Sequence, residues 1–179
     1  MNVYNPAYKQ RQCFCERLNM ELFDKNQLIR IGKYLKRKKE TIAVAESVTA
    51  GLLQYAFSNI PDATDFYQGG LTAYNVAQKF KHLQVEPIHA MAVNCVSPSV
   101  AEQMALQVCR IFGAHWGIGI TGYATPVPES DNKQFAYFAI TYKEKILLKG
   151  MLRSNDKNPP EAQLHYTQAV LQKLATVLK

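Results

Sequence analysis

Three side chains with complementary chemistry recur at strand and helix ends in this 179-residue chain. Ser47 follows the apolar run Ile42-Ala43-Val44-Ala45 and Glu46, and it precedes a small-residue turn, Thr49-Ala50-Gly51. Tyr74 closes the stretch Phe66-Tyr67-Gln68-Gly69-Gly70-Leu71-Thr72-Ala73, and Lys79 lies further along a second helical pattern. A serine at a strand-to-helix turn presents its hydroxyl beside the free N–H groups of a helix start, where negative charge is favoured. That geometry suits a nucleophile attacking a carbonyl. A lysine kept neutral by burial can act as its base. A lone serine at a helix start is usually only an N-cap, so Ser47 gains meaning from its companions.

The segments AESVTAGLL (45–53) and GGLTAYNVAQK (69–79) resemble the two signature segments of the CinA C-terminal (PncC) family. Those proteins are nicotinamide-nucleotide amidases, which turn nicotinamide mononucleotide into nicotinate mononucleotide and ammonia. The resemblance runs from about Leu22 to the C-terminus and is clear through Thr121. It implies catalysis by Ser47, Tyr74 and Lys79. Ser47 would attack the carboxamide carbon while Lys79 takes its proton, and N–H groups around Val48–Ala50 would hold the oxyanion. Tyr74 would relay a proton toward departing ammonia, and water would clear the acyl-enzyme without metal or cofactor. Glu46, Thr49, Ala50, Gly51, Gly70, Asn75, Thr121, Gly122 and Arg153 are the expected substrate-binding positions. Among them, Glu46 reads as an acceptor that fixes the turn, and Asn75 as the cap of the helix carrying Lys79.

The chain also departs from that family. Val48 and Ala50 replace its Cys and Gly. After Thr121-Gly122 its glycine-rich loop becomes Tyr123-Ala124-Thr125-Pro126-Val127-Pro128, which removes flexibility and N–H donors. Where the family carries late arginines, Pro159-Pro160 stand, with Arg153 and Lys157 as the nearest cations. These changes predict poor handling of nicotinamide mononucleotide or preference for another amide. The alternative is a weak or inactive paralogue that binds a ligand or partner.

The elements that must position these residues follow from patterning. Residues 1–20 form an extension ahead of the domain at 21–179. Amphipathic spacing from Glu21 to about Lys38 predicts a helix. Consecutive apolar residues over Thr41–Ala45 predict a parallel strand covered on both faces. A helix over Thr49–Ile60 stops at Pro61, and Gly69-Gly70 precede or begin a second strand. Ser97-Pro98 opens a helix ending near Gly113, with serine as cap and proline in the first turn. A strand over His115–Thr121, a loop over Tyr123–Lys133, a hairpin of Phe135–Tyr142 and Lys145–Leu152, and a helix over Glu161–Leu178 complete the order. The expected fold is a single α/β/α layered domain with a mixed sheet.

Composition sets the remaining bounds. An apolar content of 47% suits a globular domain. No apolar run approaches bilayer length, and the N-terminus lacks an apolar signal core, so a cytoplasmic protein away from membranes is expected. Cys13, Cys15, Cys95 and Cys109 lack a second pair at zinc-finger spacing and read as free thiols. His82, His89, His115 and His165 are scattered rather than clustered as metal ligands. The net charge of +7 is concentrated in residues 1–40, which hold ten Lys/Arg against four Asp/Glu. The run Lys36-Arg37-Lys38-Lys39 reads as a solvated helix C-terminus opposing the macrodipole. Nucleic acid is therefore disfavoured as a partner, a small nucleotide is the expected one, and a homo-oligomer stays open.

Overall fold

The computed structural model describes residues 22–156 and 158–178. The N-terminal extension, Cys13, Cys15 and Lys157 lie outside the described residues. Among the described residues, helix α1 (Lys25–Lys38) starts later than its periodicity suggests because Asp24 caps it, accepting from the N–H groups of Asn26 and Gln27. Its apolar stripe of Leu28, Ile31 and Leu35 is buried, each such side chain contributing roughly 1.5–3 kcal/mol.

Next come β1 (Ile42–Glu46), α2 (Leu52–Ser58), β2 (Tyr67–Thr72), α3 (Val76–Leu83), α4 (Pro87–Ala92) and α5 (Pro98–Ile111). The chain ends with β3 (Trp116–Tyr123), β4 (Gln134–Tyr142), β5 (Lys145–Ser154) and α6 (Pro159–Val177). The sheet order is β2-β1-β3-β4-β5. Strands β1, β2 and β3 are parallel, while β4 and β5 add antiparallel partners. Helices α1, α2 and α6 cover one face, with α3, α4 and α5 on the other. The expected mixed α/β architecture is the observed one.

All five residues of β1 are buried, and the two faces divide by size. Ile42 and Val44 join the core under α1, α2 and α6, whereas Ala43 and Ala45 face α5. Small residues on that side let α5 lie close to the sheet. At Gly117 and Gly119 a Cβ would stand 2.3 Å from the carbonyl oxygens of Ala105 and Ala101. Only glycine permits that approach.

Several boundaries differ from the patterning. Helix α2 begins at Leu52 rather than Thr49, because Ala50 and Gly51 adopt left-handed φ angles of 52° and 103°. Helix α4 was hidden in the sequence, since six residues are too short to show a 3.6-residue period. Strand β3 continues through Tyr123 into the expected loop, where Pro128–Ser130 adds one 3₁₀ turn. Strand β5 continues to Ser154, which makes Arg153 a strand residue. Helix α6 starts at Pro159 behind the Asn158 cap.

Candidate active site

The parallel strands β1 and β3 end on the same side of the sheet, the side where ligands bind in open α/β folds. The turn after β1 is held by Glu46, which is fully buried. Its carboxylate accepts from the Thr49 hydroxyl and from the N–H groups of Gly51, Leu53 and Gln54 at 3.2, 3.0 and 2.9 Å. One anion thus satisfies the donors that a helix start leaves free. The left-handed residues Ala50 and Gly51 turn the chain sharply into α2, and Ser47 is left at the top of the strand, 7% exposed.

Lys79 reaches Ser47 from α3. Asn75 caps that helix, its side-chain oxygen accepting from the N–H of Gln78 at 3.0 Å, and this sets the rotation of the first turn. Lys79 is fully buried. Its Nζ donates to Ser47 Oγ at 2.9 Å, to the carbonyl of Ala73 at 2.7 Å and to that of Tyr74 at 3.4 Å. Burial lowers its pKa to about 8, against a smaller raising influence from Cys95. A charged Lys79 fills all three acceptors. A neutral one can keep two N–H bonds to the carbonyls and turn its lone pair to the serine.

Ser47 and Lys79 line a cavity of about 350 Å³. Thr121, Gly122 and Tyr74 also line it. Thr121 is buried and donates to the carbonyl of Cys95 at 2.8 Å. Gly122 is required by the sheet itself, since a Cβ there would stand 2.4 Å from the carbonyl oxygen of Phe135. Tyr74 joins through its main chain: its carbonyl holds Lys79, while its side chain is 76% exposed at the rim.

The remaining expected binding positions stand elsewhere. Glu46, Thr49 and Gly51 belong to the cap of α2. The Ala50 N–H, expected to help hold the oxyanion, instead donates to the Ser47 carbonyl at 3.2 Å. Gly70 lies in β2, where a Cβ would collide with Val44. Asn75 acts on α3 rather than on the cavity. Arg153 lines a second, larger groove of about 720 Å³ over Phe135 and Tyr137, because it pairs with Phe135 across the β4–β5 ladder.

Sequence patterning missed the segment between α4 and α5. Asn94 and Cys95 both have left-handed φ angles, 47° and 61°, and both line the cavity. Asn94 donates to the Tyr123 hydroxyl at 3.2 Å, joining that segment to the end of β3. Asparagine tolerates left-handed backbone, which was the one available signal. Pro159 and Gln163 bring the start of α6 to the opposite wall. Among the described residues no cluster of His, Cys, Asp or Glu is arranged to hold a metal, and no helix is long and apolar enough to cross a membrane.

Fold and site together define an α/β protein with a buried serine–lysine pair at the carboxyl ends of its parallel strands. The profile of the CinA C-terminal domain matches residues 25–178, and the chain belongs to that family. A relative in Moorella thermoacetica is 40% identical over 117 residues, covering 64% of this chain and 28% of its own. A CinA-like protein of Trichodesmium erythraeum is 42% identical over 103 residues, covering 58% of this chain and 24% of its own. The match therefore spans about a quarter of the length of these curated relatives. Among solved structures, a competence-damaged protein (CinA) superfamily protein from Enterobacter cloacae superposes with a TM-score of 0.81 at 23% identity, over 88% of this chain and 93% of that one. One from Escherichia coli gives 0.79 at 24% identity, over 86% and 90%. At those identities the likeness is one of fold.

Proposed function

We propose that this domain is a serine–lysine amide hydrolase, acting on nicotinamide mononucleotide or a related primary carboxamide. The observation that carries this reading is the 2.9 Å contact between Lys79 Nζ and Ser47 Oγ inside a cavity, with the lysine pKa lowered to about 8. Such a lysine exists in both protonation states near neutral pH, as a general base requires.

Neutral Lys79 accepts the Ser47 proton as Oγ bonds to the carboxamide carbon. The tetrahedral oxyanion is met by N–H donors of the turn, with Val48 and Thr49 as the candidates after Ala50. Collapse breaks the C–N bond, Lys79 returns its proton to the nitrogen, and ammonia leaves. Water then attacks the acyl ester with Lys79 again as base, releasing the carboxylic acid and restoring the serine. The carbonyls of Ala73 and Tyr74 hold Nζ through both half-reactions.

Ammonia release from nicotinamide mononucleotide and other small carboxamides tests the reading, with Ser47→Ala as the control. The variant should lose turnover while costing about 1–3 kcal/mol of stability, because buried Lys79 Nζ loses one of its three acceptors. Equal ammonia release by Ser47→Ala and the parent chain would remove Ser47 from the mechanism.

A further inference from the structure

We propose, resting on the amidase reading above, that Thr121 is a positioning residue for the reaction: with Tyr123 it clamps the Asn94–Cys95 turn that walls the cavity beside Lys79. Gly117, Gly119, Thr121 and Tyr123 alternate along β3, so they share the face on which α5 lies. The two glycines let α5 close on the sheet. Thr121 and Tyr123 continue the row past Gly119, where pairing with β1 ends, and both reach the segment that leads into α5. The Thr121 hydroxyl donates to the Cys95 carbonyl at 2.8 Å, and the Tyr123 hydroxyl accepts from the Asn94 amide at 3.2 Å.

The turn needs such partners. Asn94 and Cys95 are consecutive non-glycine residues at left-handed φ angles, 47° and 61°. Asparagine tolerates that region, but cysteine has no such preference, and a strained residue persists only where its surroundings fix it. On the N–H side, Cys95 donates to the Ala90 carbonyl at 2.6 Å and Val96 to the Val93 carbonyl at 2.9 Å, closing α4. On the carbonyl side, Thr121 is the donor. It is 1% exposed, so removing its hydroxyl leaves the Cys95 carbonyl without a donor until the turn opens to water. Asn94, Cys95 and Val96 line the cavity with Ser47 and Lys79, and Cys95 is near enough to Lys79 to bear on its charge. A turn that drifts therefore loosens the wall that keeps the Lys79 amine away from water and on the serine.

The experiment compares Thr121→Val, which keeps the shape and removes the hydroxyl, with Thr121→Ser, which keeps the hydroxyl. Iodoacetamide labels the thiols, and peptide mass spectrometry reads each cysteine separately. Cys95 should label about five-fold faster in Thr121→Val, the order of one neutral hydrogen bond, and at the parent rate in Thr121→Ser. Buried Cys109 reports global unfolding and should keep the parent rate in both. Should Cys109 become reactive in Thr121→Val, Tyr123→Phe takes its place throughout, with the same outcomes expected. Equal Cys95 labelling in the parent and in the variant that keeps Cys109 protected would overturn the clamp. With an accepted carboxamide, Thr121→Val should lower kcat by about ten-fold at little-changed KM, since misplaced reacting groups cost rate rather than binding. Thr121→Ser should restore it. An unchanged kcat, or a raised KM alone as for a substrate ligand, would overturn the positioning role. The two readings fail separately. Faster Cys95 labelling without ammonia from any carboxamide in the parent chain would sink the amidase reading and leave the clamp standing. Ammonia release by the parent with unmoved labelling would do the reverse.

Discussion

At the scale of single residues, the chemistry rests on the protonation of Lys79. Its pKa is lowered to about 8 by burial, and the neutral form is the base. Activity should therefore be low in acid and rise with pH through a midpoint near 8, because the charged amine has no lone pair to accept the Ser47 proton. A profile of kcat/KM against pH for any accepted amide checks this. Lys79→Arg, which cannot become neutral in this range, should abolish the alkaline limb. A rate that falls as pH rises from 7 to 9 would contradict the role of Lys79 as base.

At the scale of elements, Glu46 is the residue on which the turn depends. Its carboxylate serves one hydroxyl and three backbone N–H donors at the start of α2. Glu46→Gln keeps the shape but turns an NH₂ group toward some of those donors. We expect a loss of about 2–3 kcal/mol in urea unfolding, from weakened charge-assisted bonds and helix-dipole stabilisation. Activity should fall further than stability, since Ser47 is the next residue. A stability within 0.5 kcal/mol of the parent, on the order of an ordinary surface change, would show that the cap is dispensable. The short cap of α3 works alike: Asn75 sets the turn from which Lys79 reaches inward.

At the scale of the whole molecule, α5 lies against the sheet at a distance fixed by glycine and alanine. Gly119→Ala would put a methyl carbon 2.3 Å from the Ala101 carbonyl oxygen and 2.5 Å from the Ala105 nitrogen. Both are backbone atoms of a helix, so the strain cannot be relieved by one rotamer. A destabilisation of about 1–3 kcal/mol is expected from overpacking, read as a lower urea midpoint with an unchanged slope. An unaffected midpoint would mean that α5 can slide without cost.

By itself the sequence determined the local features. The unbroken apolar run of β1 and the Ser97-Pro98 and Asn75 caps are written in neighbouring residues. Contacts within a turn or two of helix decide them, so the mixed α/β fold was legible, whereas the pairing of Ser47 with Lys79, 32 residues apart, was expected only from the family resemblance. Tertiary structure decided what depends on distant partners. It placed Arg153 over a second groove, because the length of β5 is fixed by pairing with β4 rather than by its own residues. It left the Tyr74 side chain at the rim while its carbonyl took the bond to Lys79. It carried Asn94 and Cys95 into the cavity from a segment without any period to read. The lowered pKa of Lys79 belongs here too: desolvation comes from all the groups packed around a side chain, and no stretch of chain contains them.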